Sequence, residues 1–232
     1  MTPVERRIRE LFPTVQITSV SIVVALTLEN LLDTVSSSAA LWRVDGTSLT
    51  LWCHALTVLV VTVKIWSGFA FNAMALDRLP RTMDVLGPLG LLLLVYSLIA
   101  SIAPGRETIW WCFMAAGSFL AAAYLRTQMP DATSLSSRSQ TGPGYAAMIE
   151  IALGTAAGTI GAFVWLGDLE RATVLLLAAA YLAAQAVSAI GALRVWSYAR
   201  AVIAAARAEA MDAPLRSEPP PPEADPRDIA AR

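Results

Sequence analysis

Charge is scarce in this sequence, and so are the side chains that bind metals. Only 15% of the 232 residues are charged, against about a quarter in a typical soluble domain. One His and two Cys are too few for a zinc finger, an iron–sulfur cluster or a two-histidine haem site within one chain. They are also too few for a framework of several disulfides. We therefore expect no metal site, no cofactor and no disulfide-stapled secreted fold.

The charges that are present nearly cancel. Seventeen basic and 18 acidic residues give a formal net charge of −1, so no strong field attracts nucleic acid. Hydrophobic residues make up 56% of the chain, and a soluble protein of this size needs more polar surface than the remainder supplies. The composition therefore predicts an integral membrane protein whose partner is the lipid bilayer and not nucleic acid.

Apolar stretches long enough to cross a bilayer recur along the chain. A helix needs about 20 apolar residues to cross the hydrocarbon layer, and turn residues or charges separate six such stretches. They cover residues 13–35, 48–76, 83–103, 108–125, 145–166 and 172–193. We therefore predict an all-α bundle of six transmembrane helices, four in 13–125 and two in 145–193.

Four segments lie outside these spans. Residues 1–12 precede them, and residues 126–144 are rich in Ser, Thr, Gly and Gln, which predicts a flexible loop. Residues 194–211 are rich in Ala and Arg and contain no Gly or Pro, so they are expected to continue the sixth helix into the cytoplasm. Residues 212–232 form a Pro-rich tail that is expected to be disordered.

The basic residues predict an orientation for the bundle. Thirteen of the 17 precede the first span, follow the sixth, or lie in the second and fourth connections, whereas Arg43, Arg106 and Arg171 are the three on the opposite side. Lys64 is the remaining one and lies inside the second span. The positive-inside rule then places both termini in the cytoplasm. We expect a multi-pass protein of the cell (inner) membrane.

The second span carries polar or small residues on one helical stripe. The members recur at steps of three or four residues, which places them on one face: Thr50, His54, Thr57, Val61, Lys64, Gly68 and Asn72. One interpretation is a pore or cavity lining. The other is a helix interface that contains a buried ion pair.

The first span has a similar stripe, which includes Asn30, and acidic Glu29 and Asp33 lie beside it. Glu29 and His54 fall at comparable depth on antiparallel spans, so the sequence predicts a contact between them. Such a pair can serve as a proton or cation station. It can equally be a structural hydrogen bond that fixes the pairing of two helices.

Lys64 lies near the middle of the membrane and needs a counter-ion there. Glu150 is the one acidic residue within the fifth span, and its depth roughly agrees with that of Lys64. We therefore predict a Lys64–Glu150 pair. Asp84 at the start of the third span, or a neutral lysine, are the alternatives.

The fifth and sixth spans have the character of packing elements. Gly154, Gly158 and Gly161 share one face of the fifth span, where small residues let helices approach closely. That face either packs within the bundle or forms a contact between copies of the chain. Gln185 lies on one stripe with Tyr181 and Ser188 and can hydrogen-bond across a helix pair.

Several aromatic residues fit the belts that anchor proteins at a membrane surface. In the predicted topology five tryptophans fall near the outer surface: Trp42, Trp52, Trp110, Trp111 and Trp165. We interpret them as anchors and not as a cofactor box.

The sequence contains no constellation typical of catalysis. No Ser-His-Asp candidate, HExxH, GxSxG or phosphate loop is present, so we expect no enzyme activity. The polar stripes favour a channel or small transporter for ions or protons, with a path lined by the first and second spans. The alternative is a non-catalytic membrane subunit that stabilises a larger complex. In either case the expected partners are copies of the chain or other membrane subunits.

Overall fold

The computed structural model describes residues 3–75, 82–127, 141–167 and 169–212. This part of the chain forms six helices and contains no strand, which confirms the predicted all-α bundle. In chain order the helices are α1 (Pro3–Ser37), α2 (Gly46–Ala75), α3 (Thr82–Ala100), α4 (Glu107–Thr127), α5 (Thr141–Leu166) and α6 (Arg171–Asp212).

Five of the six helices are long and apolar enough to cross a membrane. The segments that meet both conditions are Val4–Ser37, Gly46–Ala70, Glu107–Thr127, Gly144–Leu166 and Arg171–Arg194. The apolar part of α3 is shorter and covers Leu86–Ala100. The fold is therefore that of a helical membrane bundle.

The first and last helices extend beyond the apolar stretches. α1 begins at Pro3, ten residues before the predicted start of the first span, because Glu5, Arg6 and Arg7 are good helix formers in water as well. α6 continues to Asp212. The chain divides into two compact units, residues 1–193 and 194–232. Most of the predicted flexible loop and nearly all of the Pro-rich tail lie outside the described residues.

Helix ends follow local side-chain and backbone chemistry. At the start of α2, the Asp45 carboxylate accepts a hydrogen bond from the Ser48 backbone N–H (2.7 Å), which satisfies a donor that the helix leaves open. Gly167 directly follows α5 and has φ +73°, the left-handed conformation that ends many helices and that glycine adopts without strain.

The packing of α4 against α5 depends on small residues. A Cβ added at Gly161 would lie 2.9 Å from Trp111 Cβ, and one at Gly154 would lie 3.2 Å from Ser118 Cβ. At Gly158 the same atom would stay 3.8 Å from Ala115 Cβ, an ordinary contact. Two of the three predicted packing glycines therefore lie where a larger residue would crowd α4.

The core of the bundle is aromatic as well as aliphatic. Trp110 and Trp111 are completely buried and pack with residues such as Leu51, Val58 and Ile99. The prediction that these two tryptophans are surface anchors is wrong. They follow the start of α4 at successive positions, and both rings turn inward to fill the space between helices. Trp42 and Trp165, in contrast, are well exposed.

Candidate functional site

An ion pair between α2 and α5 forms the centre of the candidate site. Lys64 Nζ lies 2.6 Å from Glu150 Oε1, and the two side chains are only 13% and 8% exposed. Lys64 Nζ also donates a hydrogen bond to Gln185 Oε1 on α6 (2.7 Å). The predicted pair is therefore present, and Glu150, not Asp84, is the counter-ion of Lys64.

The hydrogen bonds continue from this pair along α6. Gln185 Nε2 donates to the Tyr181 hydroxyl (3.1 Å), so the two ends of the Gln185 amide are used on different partners. Ser188 Oγ lies 3.5 Å from Lys64 Nζ. The network thus joins α2, α5 and α6.

The local sequence explains why these side chains meet. Tyr181, Gln185 and Ser188 are spaced by four and three residues, so they share one face of α6. Glu150 precedes Gly154 by four residues and lies on the face of α5 that packs against α4. The close approach of α5 that Gly154 permits brings the Glu150 carboxylate toward Lys64.

A small cavity lies beside the ion pair. Its volume is about 30 Å³, and Lys64, Glu150, Gln185 and Ser118 supply the polar part of its lining. Apolar residues of α2, α3 and α4 supply the rest, among them Leu94 and Met114. The space and its polar groups suit about one or two water molecules.

The charges of Lys64 and Glu150 neutralise each other within the site. Moving an isolated charge into an apolar interior costs several kcal/mol, on the order estimated for buried ions in general. Here the Lys64 ammonium has both a carboxylate and an amide carbonyl as acceptors. The site therefore carries no net charge when Lys64 and Glu150 are both ionised, and one proton can pass between them without changing that balance.

His54 does not belong to this network, and its predicted contact with Glu29 is wrong. The imidazole is fully buried and stacks on Trp110, with ring centroids 3.9 Å apart and planes 12° from parallel. Neither ring nitrogen has a hydrogen-bond partner within the described residues. Trp111 meets the imidazole edge-on at 5.7 Å. Aromatic neighbours on α4, not an acid on α1, surround His54.

The rotation of α1 explains the error. Glu29 is exposed, whereas Thr27 and Leu31, two residues before and after it, are buried. Two residues correspond to about 200° around an α-helix, so Glu29 lies opposite the face that α1 packs against the bundle.

The other predicted site residues have separate environments. Thr57 is buried, but its hydroxyl donates to the Cys53 carbonyl of its own helix (2.7 Å). Asn30 is half-buried on α1, and the side chain of Asn72 lies outside the described residues. Among the described residues, α1 supplies no side chain to the network around Lys64. The ionisable groups that meet come from α2 and α5, with α6 as their hydrogen-bond partner.

Sequence reasoning missed part of the site. It did not predict that Gln185 is a direct partner of Lys64 or that Ser118 lines the cavity beside the ion pair. The shared stripe of Tyr181, Gln185 and Ser188 was the available signal for α6. The short side chain of Ser118 within an apolar helix gave no such signal.

Comparisons of the chain with protein-family models, with curated proteins and with solved structures find no match.

Proposed function

We propose that this protein is a membrane transporter of protons and that the Lys64–Glu150 pair is its proton-binding site. The observation that carries the proposal is the 2.6 Å ion pair beside a small cavity, inside helices apolar enough to cross a membrane. Ionisable groups in such positions are costly, and they commonly mark ion and proton pathways.

The chemistry requires only one proton and two side chains. The Lys64 N–H bond that points at Glu150 breaks and an O–H bond forms on Oε1, which leaves a neutral amine beside a neutral carboxyl group. Glu150 then releases the proton to water in the cavity, and Lys64 takes up another. Gln185 accepts from Lys64 and so holds the nitrogen in place during the exchange.

The arrangement favours protons over metal cations. A metal ion prefers several oxygen ligands, but Glu150 Oε1 already accepts a hydrogen bond from the Lys64 ammonium group. A second cation would meet the positive charge of Lys64 at this distance. This proposal moves the path from the first and second spans to α2, α5 and α6.

Proton flux into liposomes tests the proposal. The full chain is reconstituted in vesicles that contain a pH-sensitive dye, and a potassium gradient with valinomycin supplies the driving potential. We expect Lys64→Met and Glu150→Gln each to reduce the flux by about tenfold or more, because each removes one proton station. The matched control is Glu170→Gln, an exposed acid outside the helices, which keeps the wild-type flux.

Two results would overturn the proposal. One is a wild-type flux no greater than that of empty vesicles, with the chain folded by circular dichroism. That result favours the alternative of a non-catalytic membrane subunit. The other is an unchanged flux in folded Lys64→Met and Glu150→Gln variants.

A further inference from the structure

Two acidic side chains face outward from an apolar part of α1. Glu29 and Asp33 lie one turn apart and are both exposed, and neither carboxylate has a hydrogen-bond or ion-pair partner among the described residues. Their neighbours on the outward face are large aliphatic side chains. Ile22, Leu26 and Leu32 are 57%, 58% and 69% exposed. We call these five residues the acidic face of α1.

The register of α1 against α2 fixes the depth of this face. Trp66 Nε1 of α2 donates to Ser21 Oγ of α1 (3.0 Å), so these two residues lie at one level. The two helices run in opposite directions. Glu29 follows Ser21 by eight residues on α1, and Val58 precedes Trp66 by eight residues on α2, so Glu29 and Val58 also lie at about one level. Val58 is the central residue of the apolar segment Gly46–Ala70. Glu29 is therefore near the middle of the membrane.

A charge at that depth is unusual on an outward face. Acidic residues within transmembrane helices almost always turn to the bundle interior or pair with another group, because exposing a charge to lipid at the helix centre is costly. Lys64 and Glu150 of this chain obey that rule, but Glu29 does not. The described residues supply no group that balances the carboxylate.

Charge complementarity identifies the chemistry of that group. A second copy related by a two-fold axis along the membrane normal would place Glu29 against Glu29 at equal depth, where like charges repel. The described basic residues at the connection ends of the helices, Arg43, Arg106 and Arg171, are not at this depth. The partner of Glu29 must carry a positive charge and must lie at the depth of Glu29. A basic residue in the middle of a transmembrane helix of another protein meets both requirements.

We propose that the acidic face of α1 is the docking surface for a transmembrane helix of another protein that carries a lysine or arginine near its centre. The aliphatic residues of the face pack against that helix, and Glu29 accepts hydrogen bonds from its cation. Asp33, one turn nearer the α1–α2 loop, reinforces the negative potential. This proposal does not depend on the proton transport proposed above.

Binding of a designed peptide helix tests this surface. The probe is a 25-residue helix of Leu and Ala with one central Lys and a dansyl group, in phosphatidylcholine vesicles that contain the full chain. Energy transfer from the tryptophans of the protein reports binding. We expect the Lys peptide to bind about tenfold more tightly than a peptide with a central Leu, the scale of an interhelical polar contact in a membrane. A central Glu should give no gain.

Variants connect the effect to the acidic face. Glu29→Gln with Asp33→Asn should abolish the preference for Lys over Leu, and the variant should fold normally because both side chains are exposed. Glu170→Gln is the matched control and should retain the tenfold preference. A Lys moved to the end of the peptide should lose it, because the charge no longer lies at the depth of Glu29.

Three results would overturn the proposal. The first is equal binding of the Lys and Leu peptides to the wild-type chain. The second is a Lys preference that survives in the double variant. The third is self-association of the wild-type chain that the double variant abolishes, because the occupant of the face would then be a second copy.

Discussion

At the scale of single residues, Lys64 and Glu150 each offset the free-energy cost of burying the other. Replacing Lys64 with Met should lower the free energy of unfolding by about 3 kcal/mol, because the Glu150 carboxylate loses its ammonium partner in an apolar setting. Replacing both residues with Met should cost less than the sum of the two single changes. Unfolding titrations in detergent and sodium dodecyl sulfate measure the coupling. If the loss of stability in the double variant equals the sum of the losses in the two single variants, the interaction between Lys64 and Glu150 does not contribute to stability.

His54 allows a second test at this scale. The imidazole contributes a stacked ring and two unpartnered nitrogens, so His54→Phe should leave stability unchanged or raise it slightly. His54→Ala removes the ring and should cost about 2–4 kcal/mol through the cavity that remains. The same unfolding titration compares the two variants. An equal loss in both would mean that a nitrogen of His54 has a partner.

These residues also show what depth can predict. Lys64 and Glu150 could be paired from the sequence because both lie well inside a span, where few groups of opposite charge are available as partners. The sequence also placed Glu29 and His54 at comparable depth, yet they do not meet. Depth follows from counting residues, whereas contact also depends on how each helix is rotated, and a stripe of polar residues on α1 did not fix that rotation.

At the scale of helices, the contact between α4 and α5 separates glycines that are needed from one that is not. Gly161→Ala should destabilise the bundle by about 1–3 kcal/mol, because its Cβ would lie 2.9 Å from Trp111 Cβ. Gly158→Ala, on the same helix, should be neutral or mildly stabilising, since the nearest atom is 3.8 Å away and Ala favours the helix. Comparing their unfolding free energies is sufficient. Equal losses would contradict the packing described.

The helices themselves were the most predictable part of the protein. Long runs of Leu, Ala and Val separated by charges or turns are expected to form helices, because a helix pairs its own backbone N–H and C=O groups and unpaired ones are too costly in lipid. The neighbours of each helix were not predictable in the same way. Trp110 and Trp111 illustrate this limit, since their amphipathic rings suit a surface belt and a packed core equally well, and only the positions of α2 and α6 decide between them.

At the scale of the whole molecule, α3 decides the topology. Its 19 residues reach about 28 Å at 1.5 Å per residue, close to the hydrocarbon thickness of about 30 Å. Only Leu86–Ala100 is continuously apolar, but Asp84, the acid before that stretch, is buried in the protein and not exposed to lipid. We therefore expect α3 to cross the membrane and both termini to lie on one side.

The distribution of basic residues supports six crossings over five. If α3 returned to the side from which it entered, nine arginines would lie on the side of Arg43 and seven on the other, so the asymmetry that orients membrane proteins would nearly vanish. Six crossings keep 13 basic residues on one side and three on the other. The charge pattern and the length of α3 therefore both favour six crossings.

Labelling of single cysteines distinguishes the two topologies. In a chain with Cys53 and Cys112 replaced by Ser, cysteines are introduced one at a time at Arg7, Arg43, Arg106 and Arg126 and treated with a membrane-impermeant maleimide in sealed vesicles. Six crossings place positions 7 and 126 on one side and positions 43 and 106 on the other. Five crossings pair 7 with 106 and 43 with 126. Because α3 alone changes the partner of Arg106, a shared label at positions 7 and 106 would show that α3 does not cross.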